Sequence, residues 1–446
     1  MFHQTSNTGR RDFLKQSGAL AAGTLLAGTV VPKVHAAENN MIRMAVVGCG
    51  GRGTGATMQA LTADPNVKLW AVADAFEDRA KGLRNNVGKQ MEGRADLPDE
   101  RCFAGLDGYK KAIDTLEKGD VVLLTTPPAF RPLHFEYAVE KDLHVFAEKP
   151  LAVDVPGLRR LKKANEKAVA KGLKVAVGLN NRHYVRTEET IKAVRDGKLG
   201  DIVSLWVYRM HGPHRLSAVG SMTPLQHQLR NIFCFNWMTG GFIVDALIHN
   251  LDICCWAKQD LPVAAQGQGG RLLRKQKDDL IDHAAIEFLF ADGKKMMLQT
   301  KTIPNTWGCF QATIHGTKGS CVVGEGVGDP RIFNDYTPSG KGKNIIWKPE
   351  SGGTNSYQVE HDRFFQAIRD GREWNELDRG IEATFTPILG RWAMETGQYL
   401  TAEEVWKSEF SYAPNIDTLT IDGDSPVMPD ADGNYPISEP GITGLS

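Results

Sequence analysis

The sequence predicts an α/β protein whose first half is a doubly wound parallel sheet. Three observations lead there. Short apolar runs at 42–47, 67–73, 120–126 and 143–147 read as buried strands, with helical stretches alternating between them. Gly48-Cys49-Gly50-Gly51-Arg52-Gly53 follows the first run at once and opens a helical pattern at 54–64, stopped by Pro65. The second run ends on an acid, Asp74.

Together these form GxGxxG in its strand–turn–helix setting, with Asp74 placed 26 residues after the first glycine. Gly48 permits the tight turn, Gly50 lets the backbone approach a pyrophosphate, and Gly53 lets helix and strand pack closely. The helix N-terminus then meets the phosphate charge, with Cys49, Gly51 and Arg52 completing the loop. Asp74 would accept hydrogen bonds from the adenosine ribose. That favours NAD over NADP, while Arg52 keeps NADP from being excluded. Thr125-Thr126-Pro127-Pro128 closes the third run at its carboxyl end, where such sheets bind ligands. Glu148-Lys149-Pro150 closes the fourth and sets a lysine beside the nicotinamide.

The chain has 446 residues, enough for two or three domains with proper cores. Its 53 basic and 53 acidic side chains exclude a strong electrostatic pull on nucleic acid or an anionic membrane. Seven cysteines, none in a CxxC pair, indicate neither a disulfide framework nor a zinc ribbon. The neighbours Cys254 and Cys255 read as core packing.

Residues 1–36 read as an address. Arg10-Arg11 precedes Phe13-Leu14-Lys15, an apolar run fills 17–31, and Val34-His35-Ala36 offers a small-residue cleavage site. The apolar run is too short to span a bilayer. The arginine pair resembles a twin-arginine signal, which predicts an exported protein that folds first. Removing residues 1–36 takes 53 and 53 to 49 and 52, a net charge of −3.

In the second half, 202–210 alternates like a long strand. Residues 283–290 and 295–300 read as a hairpin about Asp292-Gly293. Strands are also expected at 310–315 and 320–323, and helices at 359–370 and 381–400. Asp245, His249, Asp252 and Trp256 recur at i, i+4, i+7 and i+11, within about 60° on one helix face. Leu247, Leu251 and Cys254 lie opposite, and Gly240-Gly241 lets the helix start abruptly.

GxGxxG, the TPP loop with His134 soon after, EKP, and the later D-x-x-x-H-x-x-D resemble the Gfo/Idh/MocA oxidoreductases across residues 41–400. The resemblance implies a Rossmann domain and a C-terminal α/β domain with a large, mostly antiparallel sheet. It implies a nicotinamide cofactor, tightly bound in exported members, and chemistry on hydroxyls of sugars and cyclitols. It makes Thr126, Pro127, His134, Glu148 and Lys149 part of the cofactor site, with Lys149 acting at the reacting hydroxyl across a Lys–Pro bond that is often cis. A homo-oligomer paired through the open sheet face is also implied. The expected organisation is a signal at 1–36, a Rossmann domain at 38–178, the sheet domain at 179–413 and an extended tail at 414–446. A neighbouring subunit is the tail's candidate partner.

Oxidising a secondary alcohol needs a base for the hydroxyl proton as the hydride departs. His249, near pKa 6.5 when unperturbed, fits that task with Lys149 polarising the oxygen. Lys149 is the alternative base, and Asp245 orients either partner. The loop Asn180-Asn181-Arg182-His183-Tyr184 is expected to open into the same cleft. Asn181, Arg182 and Tyr184 would serve there as hydroxyl ligands. The excursion at 211–240, carrying Arg230 and Trp237, reads as a lid or sugar platform. His211 and His214 lack carboxylate partners, so no metal site is expected. Two alternatives remain: an NAD-dependent glycosidase that oxidises its sugar transiently, and a non-catalytic sugar-binding protein.

Overall fold

Ile42–Val47 (β1) is buried on both faces, as a central parallel strand must be. The computed structural model describes residues 40–95, 97–218, 220–336 and 344–444, so the expected leader at 1–36 lies outside the described residues. β1 pairs in parallel with β2 (Val67–Asp74) and, on its other side, with β4 (Val121–Leu124). With β3 (Cys102–Ala104), β5 (His144–Ala147) and β6 (Val175–Val177) they form a six-stranded parallel sheet in the order β3-β2-β1-β4-β5-β6. The winding reverses between β1 and β4, so a crevice opens beyond their carboxyl ends. Helices α1 (Gly51–Ala63), α2 (Glu77–Gln90), α3 (Gly108–Ile113), α4 (Arg131–Glu140) and α5 (Val155–Ala170) connect the strands.

After α6 (Val185–Arg195) the chain enters a nine-stranded sheet. Its strands are β7 (Ile202–Met210), β8 (Ala264–Gly270), β9 (His283–Leu289), β10 (Lys295–Lys301), β11 (Cys309–Gly316), β12 (Gly319–Val323), β13 (Arg331–Phe333), β14 (Ile345–Trp347) and β15 (Leu400–Thr401). β7 keeps the predicted bounds, and β9 and β10 form the predicted hairpin, with Gly293 taking a φ of +81° in the turn. Every pairing is antiparallel except β7 with β10.

Between 211 and 258 run α7 (Pro224–Arg230), α8 (Asn236–Thr239) and α9 (Gly241–Lys258). Gly240 and Gly241 both take positive φ, +77° and +68°, so the chain turns from α8 straight into α9. The run Asn236–Lys258, α8 with α9, is apolar and long enough to cross a bilayer by composition, but its apolar window is 94% buried inside the protein. Its polar residues are therefore enclosed rather than wet, and each needs a partner. α10 (Ser356–Asp370) returns to the first domain against α1, where Gln358 donates to the Gln59 carbonyl and Arg369 pairs with Asp64. Residues 374–376 then bond along the outer edge of β6, covering it before α11 (Leu377–Thr396) packs on α9 and β8. α12 (Ala402–Trp406) ends the regular structure before the tail, apart from a short 3-10 turn at Ile416–Thr418.

The tail at 414–444 lies on its own chain. Ile416, Leu419, Ile421, Val427 and Tyr435 pack on a cluster holding Leu225, Leu229, Phe235 and Trp237. Gln228, fully buried, donates to the Val427 carbonyl at 2.8 Å and accepts from Ser425 and from Trp237 Nε1. Within the chain, the tail's packing partner is the excursion at 211–240.

Candidate active site

The glycine loop has the form a dinucleotide needs. Gly48 turns at φ +99°, and a Cβ there would stand 2.6 Å from the Thr126 nitrogen. A Cβ on Gly53 would lie 1.9 Å from the Gly48 carbonyl oxygen, so helix and strand touch as expected. Gly51 has nothing within 4 Å of that position, and Gly50 only the Arg79 guanidinium at 4.0 Å. The open face looks into a cavity of about 590 Å³ between β1, β2 and β4, lined also by Asp74, Thr126, Pro127 and His134. Its size and its cradle fit a dinucleotide.

Asp74 accepts from the Cys49 and Phe76 main-chain nitrogens at 2.7 and 3.0 Å. Burial raises its pKa against the pull of those donors and of Arg79 and Arg230. Cys49 therefore serves Asp74 with its N–H, while its thiol turns inward to the Ala73 carbonyl. Arg52 is held by Glu148 at 2.8 Å and lies over the Tyr357 ring. The cations acting on Asp74 are instead Arg79 and Arg230. Arg230 forms two bonds to Asp78 and stacks on Phe76 at 3.7 Å. It was expected at the substrate; the structure sets it at the Asp74 end of the cavity.

His134 is sandwiched by Tyr109 and Phe130, with its Nδ1 3.2 Å from Thr126 Oγ1. Burial, then Arg131 and Arg160, push its pKa down to about 3, so it is a neutral wall. The buried Arg131 donates to the carbonyls of Leu124, Thr126 and Pro150, tying the TPP loop to the EKP loop. The Lys149–Pro150 bond is cis.

Lys149 Nζ reaches from the end of β5 to α9. It donates to the Asp245 carbonyl at 2.8 Å and lies 3.6 Å from the Asp245 carboxylate. Each of these side chains keeps a fifth of its surface open. His249, one turn further along α9, is 3% exposed, and burial, Lys149 and Arg209 push its pKa well below the usual value. The imidazole is thus neutral, the form that can accept a proton. The expected trio of Lys149, Asp245 and His249 is assembled.

Two residues that the sequence reading passed over complete the group. Glu325, on the turn after β12, brings Oε2 to 3.7 Å from His249 Nε2. Its main-chain N–H is held by Asn250 Oδ1 at 2.8 Å, and Gly324 at φ +122° allows the approach, since a Cβ there would meet Asn250 Oδ1 at 2.3 Å. Arg209 on β7 faces the same group and lies over Phe310. An acid between glycines directly after a strand, Gly324-Glu325-Gly326, was the available sequence signal.

Of the remaining substrate candidates, Arg182, Tyr184 and Trp237 are engaged within the chain. Arg182 turns away and grips Asp252 with two 2.7 Å bonds beneath Trp256, so the face shared by four α9 residues divides between two tasks. Tyr184 donates to the Gly328 carbonyl at 3.0 Å. Asn181 is buried, its Nδ2 lacking a hydrogen-bond partner among the described residues. Trp237 is wholly buried against Phe130 and bonded to Gln228, so no sugar stacks on it. His214, Leu229 and Phe233 of the excursion line the cavity beside the glycine loop.

Residues 42–179 match the oxidoreductase family profile with an NAD-binding Rossmann fold, and 188–322 match the C-terminal domain of the same family. The chain belongs to the Gfo/Idh/MocA oxidoreductase family. It is 34% identical over 267 residues to an inositol 2-dehydrogenase of Pseudomonas fluorescens Pf-5, covering 56% of this chain and 70% of the relative. It is 23% identical over 285 residues to that of Rhizobium meliloti, covering 63% and 75%. In fold it is similar to an aldose-aldose oxidoreductase from Caulobacter crescentus (TM-score 0.63, 18% identity, covering 81% of this chain and 99% of that one). It also resembles GenD2 of gentamicin A biosynthesis, solved with NAD (TM-score 0.60, 22% identity, 85% and 99%).

Proposed function

We propose that this oxidoreductase moves a hydride between NAD and a secondary hydroxyl of a cyclitol or sugar. The observation that carries this is the meeting of Lys149, Asp245 and neutral His249 beyond the cavity that the glycine loop and Asp74 line. Bound nicotinamide supplies the hydride acceptor at C4. Gly48, Gly50 and Gly51 cradle the pyrophosphate, and Asp74 takes the ribose hydroxyls, which favours NAD. The excursion and the tail that pins it keep the dinucleotide tightly held. Lys149 Nζ stabilises the developing alkoxide, His249 takes the hydroxyl proton, and Asp245 fixes the lysine.

The inositol dehydrogenase relatives and the uncharged balance of the site support a neutral polyol. Two cations, Lys149 and Arg209, face two carboxylates, Asp245 and Glu325. The leader at 1–36 supports export in the folded state, and the open sheet face supports a homo-oligomer. The test is to incubate purified protein with NAD and a panel of cyclitols and free sugars, and separately with chromogenic glycosides without added cofactor. Growth of the NADH absorbance with a polyol is the expected result. Aglycone release without net NADH would establish the glycosidase in its place.

A further inference from the structure

We infer that Glu325 carries to solvent the proton that His249 takes from the substrate, so that the base is reset on each turnover. The inference rests on the redox reading above and extends it to a residue of the second sheet. Oxidising CH–OH to C=O sends the C–H hydrogen with two electrons to the nicotinamide and leaves one proton to be removed. The imidazole takes that proton, Nε2–H passes one to the Glu325 carboxylate, and the resulting acid gives it to water.

His249 cannot discharge the proton directly, because only 3% of its side chain meets solvent and its Nδ1 is buried without a hydrogen-bond partner among the described residues. Glu325 has the complementary placement. Its Oε2 is buried with no hydrogen bond among the described residues, 3.7 Å from His249 Nε2, while 31% of the side chain is open. The gap exceeds a hydrogen bond by about half an ångström, which a small side-chain rotation closes. The support is built for it: Asn250, beside His249 on α9, bonds the Glu325 main chain, and Gly324 admits that contact.

The groups facing Glu325 are Lys149 after β5, Asp245 and His249 on α9, Arg209 on β7 and Tyr357 on α10. Burial first, and the neighbouring Asp245 carboxylate, raise the Glu325 pKa, while Lys149 and Arg209 oppose the rise.

Glu325→Gln keeps the size and removes the proton acceptor. The expected result is a fall in kcat of about tenfold or more, with KM within about twofold. Turnover of Glu325→Ala should rise with added formate, and the wild type should show no such dependence. A readout independent of turnover is the ¹⁵N spectrum of His249 in the NAD-loaded protein, whose ring signals should shift in Glu325→Gln. Unchanged kcat, or an unmoved His249 spectrum, overturns the proposal. If the wild type makes no NADH from any polyol while the His249 signals still respond, the redox reading falls and the Glu325–His249 pairing is supported.

Discussion

Lys149 Nζ lies 2.8 Å from the main-chain oxygen of Asp245 and 3.6 Å from its carboxylate, so a loop of the parallel sheet grips the first turns of a helix lining the second sheet. The ammonium is held by an acceptor that no Asp245 substitution removes. Lys149→Met is expected to lower kcat by about 10²- to 10⁴-fold while NAD affinity stays within a few fold, since the glycine cradle is untouched. Asp245→Asn, with the carbonyl still in place, is expected to cost less. Steady-state kinetics beside a direct NAD titration checks both.

Asp74 spends two acceptor sites on its own loop and keeps the others for a ligand. Asp74→Ala removes charge-assisted bonds of about 1.5–3 kcal/mol, so NAD affinity should fall by about tenfold to a hundredfold. NADP should weaken less, because Arg79 and Arg230 then act unopposed at that end. Parallel titration with both nucleotides reads the ratio.

Arg182 and Asp252 are a buried ion pair, with side chains 14% and 4% exposed. Removing one partner strands a charge in the interior. Asp252→Ala should therefore cost about 3–5 kcal/mol of stability. Trp237→Ala should cost a similar 3–5 kcal/mol through the cavity it leaves. Denaturant unfolding at 25 °C measures both, and Trp237→Phe, which keeps the packing, should show little change in polyol KM.

His134 and His361 are buried with pKa values pushed down to about 3, by burial first and then by Arg131 and Arg160 for His134, and Arg52 and His183 for His361. Unfolded, each titrates near 6.5, so below that pH the unfolded chain binds the extra protons. Stability present above pH 6.5 is lost as pH falls toward 3. At pH 5 the two together cost about 4 kcal/mol at 1.36 kcal/mol per unit. His361 packs on Phe146, and neither of its ring nitrogens has a hydrogen-bond partner among the described residues. His361→Phe should remove its own share, about 2 kcal/mol, of the loss between pH 7 and pH 5, read by urea titrations at the two pH values.

Local chemistry made the first domain legible. GxGxxG, Asp74 and the strand ends at Pro127 and Lys149 are each set by neighbours close in sequence, and the structure keeps their places. α9 was legible as a helix, and Asp245 and His249 as its working residues. Asp252 and Trp256 share the same angle, yet they meet Arg182 further along, because helical periodicity fixes direction and not height along the axis. Trp237 and Arg230 were misplaced because the composition of an irregular segment shows polarity and aromaticity but not which side faces inward. Glu325 and Arg209 reach the site from a sheet whose strand order no local pattern encodes.

The arm at 414–444 has a consequence for how the molecule is made. Residues 416–435 leave the ribosome after all those on which they pack, the excursion's Leu225, Leu229, Phe235 and Trp237 among them. Synthesis order thus lets the glycine cradle emerge before the segment that packs beneath the excursion beside it.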